Sequence, residues 1–174
     1  MIENSFSTLV PENFSASSRV WIYQSSREFS AEETIKIELL VNQFVTQWTA
    51  HGASVKGMAL VLLNRFVILV ADETQTQVSG CSTDSSIHFI QQLQNDFSTD
   101  FFNRKEICFY IGNQVEKFTL NTIPEAVEKG IIHAETLCFN NLTLTLHDWR
   151  SKWIIPVANS WLRQKFPHLL ETIG

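Results

Sequence analysis

The sequence predicts an α+β fold: a ferredoxin-like β-α-β-β-α-β core, a mainly antiparallel sheet with its helices on one face, followed by an irregular α/β C-terminal extension. Three observations predict it. Segments rich in β-branched and aromatic residues alternate with two segments at helical spacing. Over residues 19–112 their order is β-α-β-β-α-β. Each helical segment carries a single apolar stripe and so has one face to bury.

Residues 1–18 hold Pro11, several Ser and Thr and little periodicity, and read as a loose lead-in. Arg19 to Gln24 (RVWIYQ) reads as a strand. Ser30 with Glu33 three residues on forms a capping box. Behind it Ile37, Leu40, Val41, Phe44, Val45 and Trp48 line one face of a helix over about 31–49 that stops near Gly52. Met58 to Leu63 and Arg65 to Asp72 are apolar runs separated by Asn64, which predicts two strands and a tight turn. The 74–80 stretch is polar loop. Ser82 to Ser85 are all good N-cap residues, and Phe89, Ile90, Leu93 and Phe97 make the apolar stripe of a helix over about 84–97. Glu106 to Ile111 is a strand, turned by Gly112-Asn113 towards Val115 to Leu120. Beyond it the spacing predicts a short helix over 124–129 ended by Gly130, a strand at 136–139, a helix start at Thr145 with Asp148, and a last amphipathic helix over 157–166 containing Trp161.

The 174 residues suit a single domain, with 19–120 as its core and 121–174 packed on it. Thirteen Phe and five Trp, in a chain that is 44% hydrophobic, can build a core without metal or disulfides. The formal net charge of −5 and the lack of any Lys/Arg run exclude a default nucleic-acid binder. The strand from Arg65 to Val70 also lacks the stacking aromatics of an RNA-recognition motif. No apolar run is long enough to span a membrane, and no secretory leader is recognisable. Cys81, Cys108 and Cys138 are odd in number and widely spaced, which argues against a disulfide framework or a zinc ribbon and for a reduced, cytoplasmic protein.

The predicted topology brings distant segments to one end of the sheet: Trp48 to Gly52, Asp72-Glu73, the 79–84 stretch, and Arg19 at the start of the first strand. Two chemistries fit. A thiolate at Cys81, at a helix N-terminus, could be served by His51 as base with Asp72 orienting the imidazole. Alternatively Ser79, Gly80, Ser82, Thr83 and Asp84, with Gly52 and Arg19, could hold a small anionic ligand on backbone N–H groups, Gly52 and Gly80 permitting close approach. Each residue also has a structural reading: Gly52 as a helix stop, Asp84 as a cap, Cys81 as a small buried hydrophobe. A zinc site from Cys81, His51 and His88 has no recognised ligand spacing, so neither metal nor cofactor is expected.

Trp48-Thr49-Ala50-His51-Gly52, Arg65-Phe66 leading to Asp72-Glu73, the Ser-Gly-Cys-Ser-Thr-Asp stretch at 79–84, His88 to Leu93, Arg19 to Gln24, Pro156 and Ser160-Trp161 together resemble a family of small uncharacterised bacterial proteins. Members often carry the automatic label "ABC transporter ATPase". The resemblance implies no established activity, substrate or cofactor. The chain contains no Gly-Lys dipeptide, so it has no phosphate loop and ATP hydrolysis is not expected. The sequence thus points to a small-ligand- or protein-binding module, with a cysteine-dependent enzyme as the alternative. The Trp-rich C-terminal third suits burial against another chain or, in a homodimer, its own copy.

Overall fold

A computed structural model describes residues 2, 6–74, 76 and 80–167, without the side chain of Cys81. Strand β1 (Arg19–Gln24) pairs antiparallel with β5 (Phe66–Asp72), which pairs antiparallel with β4 (Lys56–Leu62). A two-strand hairpin, β2 (Thr49–Ala50) and β3 (Ala53–Ser54), precedes β4 in the chain. The second sheet has the order β7-β6-β8-β9, from β6 (Glu106–Ile111), β7 (Gln114–Thr119), β8 (Leu137–Phe139) and β9 (Ile154–Pro156). The helices are α1 (Ala31–Gln47), α2 (Gly80–Asp96), α3 (Ile123–Glu128), α4 (Leu146–Lys152) and α5 (Leu162–Lys165). The fold is therefore α+β with antiparallel sheets.

Strand alternation sorts the layers. In the first sheet, odd-numbered residues such as Tyr23, Ala59, Val67 and Leu69 face Ile37 and Val41 of α1 and Ile90 and Leu93 of α2. Even-numbered Val20, Leu62, Phe66, Ile68 and Val70 face Cys108, Phe139 and Ile154 of the second sheet, and Trp149 and Trp153. There Phe66 stacks on Phe139 at 4.7 Å and meets Trp153 edge-on at 5.3 Å. The outer face of the second sheet, through Ile107, Phe109 and Cys138, packs on Ile123 and Val127 of α3 and Leu162 of α5. The order of layers is helices, sheet, sheet, helices. All seven residues of β5 are buried, because both its faces are covered.

The expected four-stranded sheet is not formed: β6 pairs with β7 and β8, not with β1. A lone four-stranded sheet would leave the even face of β5 in water, and stacking β6 on that face buries it. The place beside β1 is held at one end by the 144–146 segment. Val20 N–H donates to Leu144 C=O at 3.0 Å, and Leu146 N–H donates to Ser18 C=O at 2.8 Å. From the C-terminal third, β8 and β9 complete the second sheet. Within the lead-in Val10 is buried, and Arg150 donates to the carbonyls of Ser7 (3.1 Å) and Val10 (2.7 Å).

Local structure departs from expectation in two further places. Helix α1 ends at Gln47, and His51 (φ 52°) and Gly52 (φ 79°) form the left-handed turn of the β2–β3 hairpin rather than a helix stop. Helix α2 begins at Gly80, so Ser82 and Thr83 lie inside its first turn and Asp84 just beyond it.

Candidate functional site

The end of the first sheet predicted to gather polar residues does bring several of them together. Trp48 Nε1–H donates to Ser82 C=O at 2.9 Å, which ties the end of α1 to the start of α2. Arg19 pairs with Glu73 at 3.7 Å and lies over the Trp21 ring. Asp72 is buried, with its oxygens surrounded by donors: Lys56 Nζ (2.8 Å) and Ser15 N–H (3.2 Å) on Oδ2, Thr74 N–H (3.1 Å) and Thr74 Oγ1 (2.7 Å) on Oδ1. Burial pushes its pKa up, but the Lys56 ammonium and the Thr74 and Ser15 donors outweigh burial and hold the carboxyl well below the usual range.

His51 stands exposed at its hairpin tip and is not among the hydrogen-bond partners of Asp72. Thr83 is half-buried, and Asp84 and His88 are exposed on α2. Ser79 and the side chain of Cys81 lie outside the described residues. A Cβ at Gly52 or Gly80 would meet nothing within 4 Å among the described residues, so no protein group approaches either glycine closely. The close approach occurs at Gly57, where a Cβ would come within 3.2 Å of both Trp48 Cε3 and Val45 Cγ1. The other two thiols are buried and unreactive: burial pushes Cys108 up to about 12 and Cys138 up to about 11. No group of three or more His, Cys, Asp or Glu among the described residues is placed to hold a metal ion.

A groove of about 510 Å³ lies elsewhere, along the outer edge of β1. Because Val20 N–H points away from β5, strand alternation turns the backbone groups of Ile22 the same way, into the groove. The far wall is the 141–144 segment, and Phe101, Phe102 and Trp161 also line it. Four of the large hydrophobic side chains that the fold leaves exposed border it: Phe102, Trp161, Leu142 (66% exposed) and Leu144 (72% exposed). Buried Gln24 fixes the walls. Its Nε2 donates to Glu106 C=O at 3.1 Å, and its Oε1 accepts from Asn141 Nδ2 at 2.9 Å. Asn141 in turn accepts from Trp153 Nε1 at 3.1 Å.

Among the described residues, two buried polar atoms of the groove-lining residues have no hydrogen-bond partner, Thr143 Oγ1 and Glu106 Oε2. The other Glu106 oxygen is paired with Lys117 at 2.9 Å. Native buried polar groups are nearly always hydrogen-bonded, so two orphan oxygens beside one groove set it apart from the rest of the surface. Sequence reasoning missed this site. Its one legible signal was Trp161, set among polar residues in the C-terminal third.

No family model, curated protein or solved structure matches this chain. Among the described residues no helix is long and apolar enough to cross a membrane.

Proposed function

We propose that this protein is a binding module that captures a short, extended, apolar segment of another polypeptide by adding it to the open edge of β1. The observation that carries the reading is the outward-turned β1 backbone at Ile22 beside a groove lined by the exposed Phe102, Leu142, Leu144 and Trp161. An extended peptide supplies what each wall lacks. Its N–H groups suit Ile22 C=O, its carbonyls suit Ile22 N–H, and its side chains suit Phe102, Leu142, Leu144 and Trp161. The volume lies within the usual range of ligand sites, roughly 300–1,000 Å³. Clamping of the walls by Gln24 lowers the ordering cost of binding.

In this reading residues 19–72 keep the first three strands of a split βαβ plan, in the order β1-β5-β4, and the missing fourth strand leaves the binding edge. The buried thiols of Cys108 and Cys138 support a cytoplasmic protein. The resemblance to the uncharacterised bacterial family adds no activity, and ATP hydrolysis has no phosphate loop to serve it.

The test is a titration of the protein with blocked apolar pentapeptides, followed by tryptophan fluorescence and amide hydrogen exchange. Saturable binding is expected, with slowed exchange at the Ile22 amide and a loss of at least about tenfold in affinity in Leu142→Ser/Leu144→Ser. Both leucines are exposed, so this variant folds. Binding that leaves Ile22 exchange unchanged would refute strand addition. Concentration-dependent self-association that protects Ile22 without peptide would assign the edge to a second copy instead.

A further inference from the structure

A separate cavity of about 480 Å³ lies between the tips of the β4–β5 and β6–β7 hairpins, with Arg65 lining it. Arg65 is only 8% exposed and has no acidic partner within ion-pair distance among the described residues. Among the described residues its one side-chain hydrogen bond, Nη1–H to Ser25 C=O, is long at 3.4 Å, and its buried Nε–H has no partner. A guanidinium does not lose its proton to escape burial, so an unpaired one is costly unless something outside the chain neutralises it.

The hairpin is built to keep Arg65 in that place. Leu63 (φ 54°) and Asn64 (φ 49°) both adopt the left-handed region, unusual for leucine. The turn is closed by Arg65 N–H donating to Leu62 C=O, and anchored by Phe29 N–H donating to Asn64 C=O at 2.7 Å and Ser25 N–H donating to Arg65 C=O at 2.8 Å. Tyr110, Asn113 and Gln114 add hydroxyl and amide groups around the same cavity, while Glu28 and Glu116 stand exposed at its rim.

We propose that this cavity is a binding site for a small polar molecule carrying a single carboxylate, held by the Arg65 guanidinium. The planar fork of N–H donors matches a carboxylate bidentately. Exposed Glu28 and Glu116 in the lining oppose a dianion more than a monoanion. That selects a monocarboxylate over a phosphate.

Nuclear magnetic resonance of the arginine Nε–H groups tests this, with N-acetylglycine as probe, its uncharged amide as control and inorganic phosphate as competitor. The Arg65 Nε–H signal is expected to shift saturably with N-acetylglycine and not with the amide. Affinity should fall at least about tenfold in Arg65→Lys, which keeps the charge but loses the fork. Arg65→Met should lose binding yet melt no lower than the ligand-free protein, because an apolar side chain relieves an unpaired buried charge. An Arg65 signal unmoved by N-acetylglycine, or a clear loss of stability in Arg65→Met, would make Arg65 a structural group and overturn the proposal. A shift with phosphate at lower concentration than with N-acetylglycine would overturn the carboxylate assignment.

Discussion

Asp72→Asn removes a charge and places a donor where every neighbour already donates. Oδ2 faces Lys56 Nζ and Ser15 N–H, and Oδ1 faces Thr74 N–H and Thr74 Oγ1. Turned towards Lys56 and Ser15 its NH₂ group meets two donors; turned towards Thr74 it meets the backbone N–H, with only the rotatable Oγ1 hydroxyl able to accept. Lys56 loses its counter-ion and keeps only the Asn13 carbonyl and the face of Phe14. Breaking a buried ion pair from one side costs roughly 3–5 kcal/mol. The Lys56 side chain is 34% exposed and water can rehydrate it, which places the loss near the lower end, about 3 kcal/mol. At about 2–4 °C per kcal/mol for a chain of this size, Tm should fall by about 6–12 °C. Urea unfolding at neutral pH, followed by tryptophan fluorescence, measures this as a lower midpoint at unchanged slope.

Acid supplies a second readout of the same substitution. The folded-state pKa of Asp72 is depressed, so its contribution is complete above the unfolded value, about 4, and is lost as pH falls through the folded value. The stability gap between the natural protein and Asp72→Asn should therefore be full at neutral pH and shrink below about pH 4. Glu33, held down to about 2 by Arg27 and Ser30, loses its own contribution in the same window in both proteins and cancels in the difference. A loss under about 1 kcal/mol, or a gap that does not narrow in acid, would refute the structural role and return Asp72 to the catalytic reading.

Three further outcomes follow from the same geometry. Gly57→Ala should destabilise the fold by about 1–3 kcal/mol in urea, because its Cβ would press on the Trp48 ring and Val45; an unchanged midpoint would show that this contact yields freely. Thiol titration of the native protein should find no more than one reactive cysteine per chain, with Cys108 and Cys138 reacting only in denaturant; two or more native thiols would contradict their burial. The purified protein should release no phosphate from Mg²⁺-ATP, and turnover abolished by one substitution would overturn the reading from the missing phosphate loop.

Local order was written in the sequence wherever neighbours in the chain decide it. The Ser30–Glu33 box caps α1 with both reciprocal hydrogen bonds, and β1 and β5 stand where their β-branched runs placed them. The meeting of the α1 end with the α2 start was equally legible, because a short chain of alternating elements has few ways to return. The β2–β3 hairpin was hidden because His51-Gly52 reads as a helix stop as readily as a turn, and only packing of Trp48 and Ala50 on Val55 and Ala71 separates the two.

The destination of β6 was a tertiary decision. Local pattern makes Glu106 to Ile111 a strand, but which edge it joins depends on how much apolar surface each arrangement leaves wet. The uninterrupted apolar run of β5 asked for cover on both faces, and the aromatic residues of the C-terminal third met it. The candidate sites were least legible of all. Thr143, Glu106 and Arg65 are ordinary residues in sequence, and they stand out only when burial removes water and no partner replaces it. Sequence determines which segments can form strands and helices; the stacking of the two sheets determined which backbone edge stayed open and which polar atoms were left unmatched.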